Sequence, residues 1–408
     1  MRHLCVAFRA KIVPVGFLAV LAGCASESLV SNAGEGPGAP ADAELAVAEG
    51  VLGKVGVAPA FLTIYDRSDS NTDRTLLPTA LAWNKTRPDE LWITLREPPS
   101  ERTCNSDTTV ACTWLMGRVA IVRGAAKAPG EAPAIELKQD ANAWHFMRRP
   151  SSLAFGSDDT FASCGEARTG NYEDEAVPFI GPALWSADPA IFGAPPPPNS
   201  PTGSTHIDML HESPYCMGIA HERDNVYWAF NGDAGSLDRY DFHAPHAPGE
   251  DDHSDGELWR YATGALARAP DVPSHLAYDP ANGLLYAADT GHGRVVVLDT
   301  STGTPGAPVT TYDPIETHVA MDGAALRVLV RPGTLTQPSG LALYQGVLFV
   351  TDFTTSRIVA FDGAGRTLAT LDTGLPEGSL GGIGIGPDGH AYFTDRSSGS
   401  VLRIDPGG

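Results

Sequence analysis

From about residue 75 to residue 408, apolar residues come in short runs, rich in β-branched and aromatic side chains and fenced by Gly, Asn, Asp and Pro. Runs of that length with those borders predict strands rather than helices. One phrase recurs: LPTALAW with its proline at 78, RPSSLAF with Pro150, SPYCMGIA with Pro214, VPSHLAY with Pro273 and QPSGLAL with Pro338, then SLGGIGIG without a proline. A second strand phrase follows several copies after a turn (ELWIT, NVYWAF, LLYAAD, VLFVTD, AYFTD), and often a third (GRVAIV, LDRYD, RVVVLD, RIVAFD, VLRID). Leu81, Leu153, Met217, Leu276, Leu341 and Ile383 mark six copies, separated by 72, 64, 59, 65 and 42 residues. A repeat of three or four strands is a propeller blade, and the wide spacings imply long loop insertions in the first four blades.

The segments VPSHLAYDPANGLLYAADTGHGRVVVLD and 338–362 resemble NHL repeats: a proline, an inner strand, an Asp-containing turn, a Tyr-Val-Asp-like strand, then Arg-Val. The resemblance extends over roughly residues 75–408, strongest in the C-terminal half. It implies an all-β, six-bladed β-propeller of NHL type. The chain stops just after the third strand phrase of the sixth blade, so the FLTIYD segment at 61–66, which precedes the first inner strand, is expected to close the ring.

The N-terminus has a different pattern. Arg2, Arg9 and Lys11 precede an apolar run from Ile12 to Ala22, too short to span a bilayer and suited to a signal peptide over residues 1–23. Leu21-Ala22-Gly23-Cys24 resembles the lipobox of bacterial lipoproteins, which implies lipidation of Cys24. The expectation is an exported protein of the bacterial cell envelope, lipid-anchored, with Ser26 after the anchor pointing to the outer membrane. Residues 24–57, rich in Ala, Gly, Glu and Ser, are expected to be a flexible tether, leaving 58–408 for the propeller.

Charge narrows the partners. Loss of Arg2, Arg9 and Lys11 with the signal would deepen the net charge from −21 to −24, which argues against nucleic acid and, apart from the lipid anchor itself, against anionic membrane surfaces. The loop-rich face remains as a place for a small molecule, a protein or a glycan.

The candidate chemistry is metal binding. The residue before each inner-strand marker falls at one mouth of the channel; these are Ala80, Ser152, Cys216, His275, Gly340 and Gly382. Cys216 and His275 stand out among small residues, and loops entering inner strands add His145, His206 and His211. Imidazole with thiolate is a ligand set for zinc, copper or iron, so His275, His211, His206 and Cys216 are the expected metal site. A second cluster lies in the insertion DFHAPHAPGEDDHSDG at 241–256, where His243, His246, His253, Asp252 and Asp255 could hold a transition metal, or calcium through the carboxylates. It is expected away from the channel mouth. The four cysteines beyond the anchor fit two disulfides in an oxidising envelope: Cys104 with Cys112 across a polar loop, and Cys164 with Cys216, which would remove Cys216 as a ligand.

Among NHL propellers, the site logic resembles peptidyl-α-hydroxyglycine amidating lyase, whose zinc is held by histidines following inner-strand prolines. Pro273-Ser274-His275-Leu276 has its histidine one place later, and the other five blades offer none there. The resemblance therefore lends His275 a metal role and does not carry the lyase activity over. Regucalcin-like lactonases use Glu, Asn and Asp in the channel, for which Glu166 and Asn231 are the nearest candidates. Two functions stand: a metal-dependent lyase or hydrolase acting on a small substrate, or a non-catalytic binding module.

Overall fold

Hydroxyls in the recurring inner-strand phrase tie neighbouring blades together. In the computed structural model, which describes residues 41–54, 56–70, 76–96, 116–128, 130–170 and 179–407, the described residues all belong to the compact unit Ala39–Gly408. Thr79 Oγ1 donates to the Pro150 carbonyl (2.9 Å), Ser151 Oγ to that of Cys216 (2.5 Å), and Ser339 Oγ to that of Pro273 (2.9 Å). Thr351 Oγ1 does the same for Gly381 (2.6 Å). Small hydroxyl residues after the proline thus satisfy carbonyls at a crowded axis that water does not reach.

The inner strands are Leu77–Trp83, Pro150–Phe155, Cys216–Arg223, Leu276–Asp279, Pro338–Tyr344 and Leu380–Ile385. Each packs beside the next, and the last beside the first, so the ring is closed. Outward from them run second strands Glu90–Arg96, Thr160–Gly165, Val226–Asn231, Leu284–Asp289, Val347–Asp352 and Ala391–Asp395, all antiparallel to their inner neighbours. Third strands follow at Arg118–Arg123, Ala183–Ser186, Ser236–Asp241, Arg294–Asp299, Arg357–Phe361 and Ser400–Asp405. The fourth positions are filled by Ala134–Lys138, His206–Met209, Glu257–Tyr261, Leu326–Val330, Thr367–Asp372 and, in blade six, the N-terminal strand Ala60–Asp66. That strand pairs antiparallel with Ser400–Asp405, from Ala60↔Asp405 to Asp66↔Ser400. The six-bladed β-propeller with N-terminal closure is the architecture the repeats predict.

The core lies between blades. Trp92 of blade one meets Phe155 and Phe161 of blade two edge-on, at 5.2 and 5.1 Å between ring centres, with Trp185 and Phe192 behind them. Truncating a fully buried aromatic of this kind costs about 3 to 5 kcal/mol. The acids ending second strands hold turns: Asp352 accepts from the backbone N–H of Thr336 and Gln337, and Asp395 from Ser397.

The insertions carry structure. Between the third and fourth strands of blade four, the hairpin Thr304–Pro308/Thr317–Asp322 leaves its own blade and lies parallel to Glu257–Tyr261, widening blade three to six strands. A helix, Ala41–Leu52, stands within the stretch that composition assigns to the tether. Its Ala, Leu and Glu content favours a helix, and Asp42 and Glu44 suit its first turn. Ala48, Val51 and Leu52 bury against Phe349, Ile358 and Leu371, so this part of the segment is docked on the propeller. The signal segment, Cys24, Cys104 and Cys112 lie outside the described residues.

Candidate metal centre

Blade two ends in an edge strand, His206–Met209, whose backbone would otherwise be unpaired on one side. The insertion of blade three covers it. His246 N–H donates to the Ile207 carbonyl (3.0 Å) and Gly249 N–H to that of His206 (2.8 Å). Gly249 has φ +83°, and a Cβ there would fall 2.3 Å from Ser200 Oγ and 2.6 Å from the Ser204 carbonyl, so only glycine permits this approach.

That docking brings His206 together with His246 and His253, with one ligand nitrogen from each lying within 4.8 Å of the others. His206 is fully buried, stacked on Phe146 at 3.9 Å, and neither of its ring nitrogens has a hydrogen-bond partner. His246 Nδ1 faces the Ala247 carbonyl at 2.8 Å, while its buried Nε2 is unpartnered. His253 Nδ1 lies 3.0 Å from Asp208 Oδ1. Burial and the neighbouring histidines push the His206 pKa down to about 2, so its ring is neutral and presents a lone pair. Burial alone would lower His253, but the Asp208 carboxylate outweighs it and raises the pKa. Nδ1 held by a carboxylate or a carbonyl leaves Nε2 free, which is the supporting arrangement of histidine metal ligands.

A second histidine pair adjoins the first set, the rings of His211 and His253 lying 5.9 Å apart. His145, in the short helix Ala143–Phe146, faces the Gly170 carbonyl through Nδ1 (3.1 Å), and His211 faces Asp313 through Nδ1 (3.0 Å). With a proton on each Nδ1, the two Nε2 lone pairs confront each other at 3.3 Å. Lone pairs at that distance repel unless a cation lies between them, either a proton or a metal ion. Tetrahedral Zn–N bonds of ~2.0 Å place two nitrogens about 3.3 Å apart. Burial pushes the His145 pKa down to about 3. Glu212, which accepts from the Tyr312 and Asp313 N–H groups, is pushed up to about 7 by burial.

The channel-mouth metal site expected from the sequence is not assembled. His275 is at the axis, where its Nε2 meets the Ser151 carbonyl at 3.0 Å and therefore carries the proton; burial lowers its pKa to about 4. Cys216 is bonded to Cys164, with Cα atoms 5.3 Å apart, so the disulfide removes the thiolate. His206 and His211 belong instead to the periphery of blade two. The insertion cluster also divides: His246 and His253 join His206, while His243 sits with Asp241 and Glu257 in a separate, more exposed set. Asp252 is bound by Ser254 and Asp255 meets the Ala244 N–H, so both shape the loop and neither belongs to a ligand set among the described residues. Glu166 pairs with arginines and Asn231 bonds Asp238, so neither is free for a lactonase-type metal. Asp208, Glu212 and Asp313 join the site although no motif in the sequence singles them out. The alternation His206-Ile207-Asp208, which puts imidazole and carboxylate on one strand face, was the available signal for the first.

No family model matches the chain, and no curated protein does. Among solved structures, an auxiliary nutrient binding protein from Bacteroides ovatus aligns with TM-score 0.51 at 9% identity, covering 86% of this chain and 78% of its own. Streptogramin B lyase aligns with TM-score 0.45 at 10% identity (85% and 97% covered). Regucalcin from Agrobacterium tumefaciens, a calcium-binding protein, aligns with TM-score 0.44 at 11% identity (86% and 96% covered). At 9% identity the likeness to the nutrient binding protein extends to the fold and no further, and the six-bladed ring is read from this chain's own strand pairing.

Proposed function

We propose that this protein is an exported, lipid-anchored propeller of NHL type that binds a divalent transition metal on His206, His246 and His253. One observation carries the reading: three imidazoles from two blades converge, and two of them hold buried nitrogens without any partner. A buried polar atom left unpaired costs about 1 to 3 kcal/mol, a cost that a bound cation removes. An all-imidazole set suits zinc, copper or iron and is a poor match for calcium, which takes oxygen ligands. The anchor rests on Leu21-Ala22-Gly23-Cys24.

A catalytic reading has its own support. Three protein ligands with a fourth position open is the pattern of catalytic zinc, and a metal there would supply Lewis acidity. The Asp313 carboxylate orients His211 through Nδ1, and its Nε2 faces that of His145 at 3.3 Å, a place for a shared proton beside the ligand set. On this reading the reaction is hydrolysis or elimination on a small substrate.

The test is elemental analysis of the untagged full-length protein, purified in detergent from an oxidising envelope. At least one equivalent of zinc, copper or iron is expected. His206→Ala should lose that metal while circular dichroism still reports the propeller, and Asp208→Asn should weaken affinity by roughly 10- to 100-fold. Full metal retention by His206→Ala would refute the assignment.

A further inference from the structure

The channel mouth, where the sequence pattern predicts metal ligands, holds arginines. Arg96 ends the second strand of blade one, Arg149 precedes the inner strand of blade two, Arg268 lies in the loop from blade three to blade four, and Arg396 follows the second strand of blade six. They surround two acids. Glu166 takes Arg96 Nη1 at 2.9 Å, Arg268 Nη1 at 3.0 Å and the Asp271 N–H at 2.8 Å. The Asp271 carboxylate pairs with Arg149, and its carbonyl accepts from Arg96 Nη2 (2.8 Å) and Arg396 Nη1 (2.6 Å).

Among the described residues, four guanidiniums against two carboxylates leave two positive charges in excess, at the axis of a chain whose net charge is −21. Arg96 is 1% exposed and Arg396 8%, and the Nε of each is buried without a hydrogen-bond partner. Burial and, after it, the neighbouring Arg96 push the Arg396 pKa down to about 9, against the pull of Asp271 and Glu166. A buried, unpaired cation is costly, and guanidinium forks are shaped for planar oxyanions. The rim is also strained. Arg149, Tyr215 and Asp271 have φ of +46°, +51° and +65°, a region that non-glycine residues rarely adopt and that concentrates at ligand sites. Organic surface is available as well: Tyr215 stacks under Arg268 at 3.9 Å, and Phe353 lies 5.3 Å from Arg396. Partly open side chains at Arg149 (28%), Arg268 (23%) and Asp271 (38%) give solvent access to the cluster.

We propose that the channel mouth is a binding site for a small organic dianion, a dicarboxylate or a phosphate monoester, whose charge balances Arg96, Arg149, Arg268 and Arg396. The site does not depend on the histidine set.

Isothermal titration of the full-length protein with succinate and, separately, with inorganic phosphate tests the site, with sodium chloride at matched ionic strength as the control. Saturable one-to-one binding of either dianion is expected, and the tighter of the two identifies carboxylate or phosphate as the recognised group. Arg396→Gln should weaken binding at least tenfold. Should that variant fail to fold, Arg149→Gln, at a partly exposed position, should show the same direction with its metal content unchanged. Absence of binding by both dianions, or unaltered affinity in Arg149→Gln, overturns the proposal.

Discussion

His206, His145 and His275 share one physical condition: each is a buried imidazole held neutral, with its pKa pushed down to about 2, about 3 and about 4 respectively. In the unfolded chain these rings titrate near the ordinary 6.5. Below that pH the unfolded chain binds protons that the folded protein refuses. Stability is therefore complete above pH 6.5 and is lost as pH falls towards the folded values, at roughly 1.4 kcal/mol per pH unit for each ring. Glu212 acts in the opposite sense. Its folded pKa of about 7 exceeds its ordinary 4.5, so its contribution is present below 4.5 and lost as pH rises through 7, which offsets one histidine across that interval. The net expectation for metal-free protein is a lower urea midpoint at pH 5 than at pH 7, with a shallower dependence in His206→Phe. Equal midpoints at the two pH values would show that these rings are not held neutral by the fold.

Between elements, the Cys164–Cys216 bond ties the second strand of blade two to the inner strand of blade three and closes a loop of 52 residues. Chain-entropy reasoning puts the stabilisation from such a loop at about 4 kcal/mol, with about 2 to 4 usually realised. The paired variant Cys164→Ala/Cys216→Ala should lose stability in that range in a denaturant titration, whereas an unchanged midpoint would mean the bond is absent from the native protein. The pairing was one of the alternatives open in the sequence, because both cysteines fall at the same face of adjacent blades. Blade identity was legible for a similar reason. The Pro-Ser/Thr phrase and the strand triplets are local patterns repeated by a repeated environment, the hydroxyl link at the axis. The histidine set was not legible as a set. His206 reaches His246 and His253 only because an insertion in blade three lies along the edge of blade two, and the register of that docking depends on Gly249 and on backbone hydrogen bonds between segments some 40 residues apart. No periodicity encodes it. The arginines that decide the charge at the mouth come from elsewhere in the blades: Arg149 stands three residues before Ser152 and Arg268 seven before His275, while Arg96 and Arg396 lie at the ends of second strands.

At the scale of the ring, closure determines how damage spreads. In an open array of repeats, weakening the terminal unit frays that unit and leaves distant ones intact. Here the ends are joined: Ala60–Asp66 completes the sheet of blade six, and Ile64, buried at 5% exposure, packs with Leu95, Ala120 and Tyr392 across the junction with blade one. Opening the junction leaves Ser400–Asp405 as an unpaired edge and removes lateral support from both neighbours, each of which relies on the next for its buried face. The cost of a truncation there should therefore be felt by the whole ring. Ile64→Ala is expected to cost about 2 to 5 kcal/mol. Native-state hydrogen exchange discriminates the two behaviours. If the ring is one cooperative unit, the slowest amides in Val226–Asn231 of blade three, far around the ring from the mutation, should exchange about thirty-fold faster or more. If only the amides of blades one and six speed up, the closure strand is a local latch, and the propeller behaves as a row of separately stable blades.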